Sequence, residues 1–318
     1  MSAQAIELTN LVKDYGRARA LAGISLRVEP GQIFGFLGPN GAGKTTTIRI
    51  LLDLLRPTSG SATVLGLDCR RDSLAVRRRV GYVPGDLRMY ESMRGDEFLD
   101  FIDSFRPDKR DRGYRQQIVE RLGLDISRRV RALSKGNRQK LGLVQALMHR
   151  PELLILDEPT SGLDPLVQEE VMRILRETVQ DGRTVFFSSH VLSEVERLSE
   201  AVAILRKGKI VAVEDIARLR GRSLHVIEVT FASPPPAGLF DIAGAREIRR
   251  DGNTVHLQAR DGIDGVIKAM AREHVVDLRT EQPSLEDIFL RYYVADHPGD
   301  DAPATPDSQL AGAADARR

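Results

Sequence analysis

Nine residues, Gly38-Pro39-Asn40-Gly41-Ala42-Gly43-Lys44-Thr45-Thr46, constrain this 318-residue chain more than any others. They lie between an apolar segment, IFGFLG, and a segment of helical spacing, TTTIRILLDLL, that is expected to end before Pro57. Glycines at 38, 41 and 43 permit a backbone tight enough to turn successive N–H groups toward one anion. A helix opening at Gly43 adds the positive end of its dipole. Lys44 is then placed to reach the β- and γ-phosphates of a nucleotide, and Thr45 to offer a hydroxyl to Mg²⁺. A strand, such a loop and a helix in succession read as an α/β fold.

A second element follows 113 residues after Lys44. Leu153-Leu154-Ile155-Leu156 is a short continuous apolar run closed by Asp157-Glu158, and TVFFSSH, ending at His190, has the same character. Such runs suit central parallel strands buried on both faces. Carboxylates at the ends of strands sit where open α/β sheets bind ligands. Asp157 is a candidate to hold Mg²⁺, directly or through water. Glu158 is a candidate to orient and polarise an attacking water.

Several classes of function are disfavoured by what is missing. The formal net charge is +2, and no extended basic tract with interleaved aromatics is present, so no nucleic-acid partner is expected. With one cysteine, Cys69, neither an intrachain disulfide nor a cysteine-based zinc site can form. No run of about 18 or more apolar residues occurs, and MSAQAIELTN lacks the pattern of a secretory signal. A cytosolic chain is expected, one that needs a separate pore polypeptide if it serves transport.

Over about residues 5–220 the sequence resembles the nucleotide-binding domain of ABC transporters. The segment Leu133-Ser134-Lys135-Gly136-Asn137, 23 residues ahead of Asp157, matches the position of the family signature, usually LSGGQ. Ser161-Gly162-Leu163-Asp164 matches the D-loop, His190 the switch histidine, and Tyr15 the aromatic that stacks on adenine. The resemblance implies a P-loop NTPase fold with a RecA-like core, an antiparallel β subdomain and a helical signature subdomain. It implies ATP and Mg²⁺ as ligands. It also implies a head-to-tail dimer in which each ATP lies between one copy's Lys44 and the other's Ser134, Lys135 and Gly136, with Asp164 passing contacts between the two sites. Glu158, His190 and Lys44 would be the catalytic residues, Thr45 and Asp157 the metal ligands. Where the family has a glutamine before the helical subdomain, this chain has Gly85, in GYVPGD, so that contact is lost; Asp86 or water are the candidate substitutes.

Lys135 and Asn137, together with Pro283-Ser-Leu-Glu-Asp-Ile-Phe289, resemble ABC-2-type exporters of the daunorubicin-resistance kind. The resemblance therefore implies an exporter subunit, peripheral on the cytoplasmic face of the membrane, acting on a polytopic permease through a groove around Tyr90–Met93. The alternative is a soluble ABC ATPase acting on nucleic acid or the ribosome. Against it, only 90 residues separate Lys44 from Ser134, without the heptads of a long coiled coil. Composition changes near Gly221. Residues 221–295 read as a small α+β accessory domain, with strand SLHVIEVTF, a hairpin turning at Asp251-Gly252, helical DGVIKAMAREH, strand VVDLRTE, and a helix capped by Ser284. Residues 296–318, rich in Ala, Asp and Pro, are expected to be a disordered tail.

Overall fold

The computed structural model describes residues 4–105, 111–221, 225–259 and 263–281. The expected cap at Ser284, the 283–289 motif and the tail lie outside the described residues. The chain divides into two compact units, Met1–Ala217 and Arg218–Arg318.

The first unit is built on two sheets. One is antiparallel, with order β2-β1-β4-β5, and comprises β1 (Ile6–Tyr15), β2 (Ala18–Val28), β4 (Ser59–Val64) and β5 (Leu67–Asp68). The other has order β10-β9-β3-β8-β7-β6. It comprises β3 (Ile33–Leu37), β6 (Val80–Val83), β7 (Leu153–Asp157), β8 (Thr184–Ser189), β9 (Ala201–Arg206) and β10 (Lys209–Asp215). Its first five strands in sequence are parallel, and only β10 runs against its neighbour. Every residue of β3, β7 and β8 is buried, as continuous apolar runs require when both faces of a sheet are covered. Because β3, β8 and β7 are adjacent and parallel, their carboxyl ends open side by side, and the loops leaving them share one edge.

Helix α1 (Lys44–Leu51) follows β3. It ends earlier than the spacing suggests, at Leu51 rather than near Pro57. Asp53 turns left-handed (φ +53°), its N–H donating to the Ile50 carbonyl and the Leu54 N–H to that of Arg49. These crossed bonds satisfy the last carbonyls and close the helix. One apolar cluster joins Ile48, Ile50 and Leu51 of α1 to residues of both sheets, among them Leu8, Leu26, Phe36, Ile155 and Phe186. Cys69 is buried at its margin, and burial pushes its thiol up to about 12.

Helix α2 (Ser73–Arg79) precedes β6, and three helices, α3 (Gly95–Ser104), α4 (Arg112–Arg121) and α5 (Lys135–Leu147), lie between β6 and β7. After β7 comes α6 (Pro165–Gln180), and after β8 comes α7 (Leu192–Leu198). Arg121, closing α4, donates Nε–H to Glu170 (2.6 Å) and grips Glu177 with both terminal nitrogens (2.5 and 2.9 Å), both acids lying on α6. Arg79, in the arginine run of α2, pairs with Glu152 (2.5 Å) and so helps fix the strand that precedes Asp157.

The second unit begins within α8 (Ile216–Gly221). It holds an antiparallel sheet of order β12-β13-β11-β14, formed by β11 (His225–Phe231), β12 (Ala245–Asp251), β13 (Thr254–Ala259) and β14 (Val275–Glu281). Val266, Ala269 and Met270 of α9 (Ile263–Met270), spaced three and four apart, pack with alternate residues Ile227, Val229, Phe231 and Val255, Leu257, Ala259. The β12–β13 hairpin turns on Gly252-Asn253, one residue later than the sequence pattern suggests. Asp251 pairs with Thr254, and Gly252 supplies the positive φ (+58°) of a two-residue turn.

The Arg121 cluster makes a testable contribution. Glu177 is held below its ordinary value of 4.5, chiefly by the hydrogen bond from Arg121. A depressed carboxylate contributes stability above its unfolded pKa and loses it as pH falls through its folded value. Arg121→Met is expected to cost about 1–2 kcal/mol at neutral pH, reduced from a buried pair because Glu177 is half exposed. The gap from wild type should narrow only below pH 4.5. Urea unfolding at pH 7 and pH 4 measures both.

Candidate functional site

The loop from Gly38 to Gly43 leaves β3 and enters α1, whose N-cap is Gly43, with φ +113° and no side-chain cap. No acidic residue occupies the first turn. The opening amides of α1 are therefore turned outward with the helix dipole behind them, a ready anion site. Gly38 could not be larger, because a Cβ there would stand 2.4 Å from the Leu205 carbonyl oxygen. Pro39, Asn40, Gly41, Gly43, Lys44, Thr45 and Thr46 line a cavity of about 150 Å³ with Ala20 and Glu158. Ala42 is buried behind it.

Lys44 is 6% exposed. Its Nζ donates to the carbonyls of Gly38 (2.6 Å) and Pro39 (3.2 Å) and stands 3.9 Å from Glu158 Oε1. Burial, the largest influence, pulls its pKa below the ordinary lysine value, while Glu158 and then Asp157 pull it back up. Asp157, 2% exposed, ends β7. Its Oδ2 accepts from Thr45 Oγ1 at 2.7 Å, and its Oδ1 accepts from Ser188 Oγ on β8. One carboxylate thus ties together the first turn of α1 and two strand ends. Glu158 follows with a left-handed backbone (φ +52°), which is costly for a residue with a side chain. Its N–H donates to the Ser188 carbonyl (3.1 Å), and its Oε1 lies 2.9 Å from His190 Nδ1. Lys44, Thr45 and Glu158 line the cavity, and Asp157 and His190, from the ends of β7 and β8, are joined to it through Thr45 and Glu158.

The remaining candidates lie elsewhere in the chain. Ser134 caps α5, its Oγ accepting from the Asn137 N–H (3.2 Å). Asp164 caps α6, its Oδ1 accepting from the Val167 N–H (3.1 Å). Neither these two nor Lys135 and Gly136 line the cavity. Tyr15 is 48% exposed with Lys13 Nζ over its ring at 5.1 Å. The hairpin that carries it brings Ala20, not Tyr15, to the cavity wall. Gly85 is beside Asp157, since a Cβ on it would lie 3.3 Å from Oδ2. Asp86 faces solvent and Arg88 (3.5 Å) and does not line the cavity.

Three participants escape a reading of the sequence. Ser188 was visible only as a polar residue in an otherwise apolar strand. Glu194, in the first turn of α7, accepts from Thr160 Oγ1 (2.7 Å) and Ser189 Oγ (2.8 Å). Gln139, 6% exposed, donates from Nε2 to the carbonyls of Pro159 (3.0 Å) and Glu158 (3.4 Å).

Residues 21–161 match the family model described as "ABC transporter". The chain is 33% identical to the bacitracin transport ATP-binding protein BcrA of Bacillus licheniformis, spanning 90% of this chain and 96% of that protein. It belongs to the family of ABC transporter ATP-binding proteins. The cassette is also 34% identical to the Nod factor export ATP-binding protein I of Rhizobium meliloti, covering 90% of this chain and 87% of that one. To the daunorubicin resistance ATP-binding protein DrrA3 of Streptomyces coeruleorubidus it is 32% identical, over 91% and 96%. Among solved structures, the ATP-binding subunit of an ABC transporter superposes with a TM-score of 0.63 at 26% identity, over 68% of this chain and 92% of that one. The P-loop, α/β cassette expected from the sequence is therefore the fold of this protein, and ATP is its nucleotide.

Removing the buried ammonium tests the phosphate site directly. Lys44→Ala is expected to weaken ATP binding about 10–100-fold, the weight of one or two charge-assisted hydrogen bonds. Titration with a fluorescent ATP analogue reads this, and an unchanged Kd would exclude Lys44 from phosphate binding.

Proposed function

We propose that the cassette hydrolyses Mg²⁺-ATP as a head-to-tail homodimer and drives export through a separate polytopic permease, lying on the cytoplasmic face of the membrane. The reading rests most on how the candidate residues divide within one chain. Lys44, Thr45 and Glu158 line one cavity and hold Asp157 and His190 by hydrogen bonds of Thr45 and Glu158, while Ser134, Lys135, Gly136 and Asp164 do not line it. A second anion-binding helix start, that of α5, is thus left for a nucleotide held by another copy.

For hydrolysis, the amides of residues 41–46 and the Lys44 ammonium would hold the β- and γ-phosphates in place. The oxygen donors of Thr45 and Asp157, 2.7 Å apart, suit a hard cation that keeps several waters. Bound there, Mg²⁺ would neutralise charge on the phosphate oxygens. Glu158 would accept the proton of a water attacking the γ-phosphorus. His190, anchored to Glu158 through Nδ1, keeps Nε2 for a γ-phosphate oxygen or the attacking water. The aromatic Tyr15 would stack on adenine at the rim. As the γ-phosphorus–oxygen bond to the β-phosphate breaks, ADP and inorganic phosphate form, and once phosphate departs the charge clasped between the copies falls and the dimer opens.

Among the described residues no helix is long and apolar enough to cross a membrane. A groove of about 340 Å³, lined by Leu52, Tyr82, Pro84, Leu87, Ile102 and Phe105, would receive a permease helix. Tyr90–Met93 do not line it. The Tyr90 ring instead packs edge-on against Phe101, which packs against Phe105. The names of the relatives, with bacitracin, daunorubicin and Nod factor, support export as the direction. Their variety supports the permease as the chooser of cargo.

Glu158→Gln should keep ATP affinity, lower kcat by about 10²–10⁴-fold and accumulate an ATP-bound dimer. Steady-state turnover and size-exclusion chromatography with ATP test it; wild-type turnover by this variant would remove Glu158 as the base.

A further inference from the structure

We infer that Gln139 is a positioning residue for ATP hydrolysis, holding the Glu158 backbone in its left-handed conformation from the helix that carries Ser134. The inference rests on the reading of Glu158 as the base, and adds a residue to it.

Three observations lead there. First, Glu158 occupies φ +52°, a conformation that must be imposed by its surroundings. On its N-terminal side the constraint is plain, since the Glu158 N–H donates to the Ser188 carbonyl and Asp157 is fixed by Thr45 and Ser188. On its C-terminal side the Ser161 N–H donates to the Glu158 carbonyl (3.2 Å), and Gln139 Nε2 donates to the Pro159 carbonyl (3.0 Å) and at longer range to that of Glu158 (3.4 Å). Second, Gln139 is nearly fully buried and its amide bonds backbone oxygens of this turn. An aliphatic side chain of the same length would fill the space, remove the side-chain donor to the Pro159 carbonyl and leave that of Glu158 to the Ser161 N–H. Third, Gln139 lies about one turn beyond Ser134 on α5. The first turn of that helix touches the D-loop, because a Cβ added to Gly136 would lie 2.9 Å from the Gly162 carbonyl oxygen. Gly85 carries no side chain with which to link the helical subdomain to Asp157. Gln139 supplies a link from that subdomain to the next residue.

In this arrangement the rotation of α5 sets the peptide planes after Glu158, and these set where the carboxylate stands relative to the attacking water. Loss of the amide leaves phosphate binding by Lys44 and the α1 amides intact and misplaces the base. Displacements of this order cost as much as about 100-fold in rate.

The test uses the full chain and two variants, with ATP turnover and fluorescent-nucleotide binding read in parallel. Gln139→Met keeps the volume and removes the donor. Its kcat is expected to fall about 10–100-fold with KM and nucleotide Kd within about twofold of wild type. Gln139→Glu sets a carboxyl against the same two carbonyls. Ionised, it has no proton to donate; protonated, it can restore one hydrogen bond. Its deficit relative to wild type should therefore shrink as pH falls from 8.5 toward 6. Combined with Glu158→Gln, Gln139→Met should add little further loss, because the group it positions is already disabled. The inference is overturned if Gln139→Met turns over at the wild-type rate or loses kcat and nucleotide binding together. It is also overturned if the deficit of Gln139→Glu is independent of pH, or if the double variant loses the product of the two single effects. Should Gln139→Met fail to fold, the pH profile of Gln139→Glu decides alone. Wild-type turnover by Glu158→Gln would instead strike the base reading, whatever Gln139→Met does.

Discussion

The buried carboxylate of Asp157 is the contact on which the site depends. With one oxygen on Thr45 and the other on Ser188, it fixes the start of α1 against the ends of β7 and β8. A carboxylate this deeply buried is tolerable only when its lone pairs are met by donors. The two hydroxyls meet that need without adding a positive charge, and Lys44, 3.9 Å from Glu158, lines the cavity as an ammonium.

Around this anchor the polar groups form a connected set rather than a row of independent residues. Ser188 serves both Asp157, through its hydroxyl, and Glu158, through its carbonyl. Glu194 joins Thr160 to Ser189, and Gln139 closes the other side of the same turn. Such a network keeps Glu158 in a backbone conformation it would leave if free. The helices that carry the network, α5 and α7, are also those whose starts lie at Ser134 and just after His190, which couples the position of Glu158 to both.

The accessory unit follows a different economy. Its four-stranded sheet buries one face beneath α9 through alternate residues, and its other face carries polar pairs such as His256 with Glu228 and Arg279 with Asp277. Among its described residues no side-chain-bearing residue has a positive φ such as Glu158 has at the end of β7.

By itself the sequence determined the elements whose physics is local. The glycine loop and the buried runs at 153–157 and 184–189 are written in short stretches of clear period or turn chemistry. The same stretches named Lys44, Thr45, Asp157, Glu158 and His190, because strand ends and helix starts are where such side chains can act. Where α1 stops was not legible, since a left-handed aspartate ended it without a glycine or proline to announce the turn. Nor were Gln139, Ser188 and Glu194, whose roles exist only because parallel strands distant in sequence lie side by side and a helix from between them crosses the turn after β7. Those contacts are long-range, and pairing of that kind is decided by the packed sheet rather than by any window of residues.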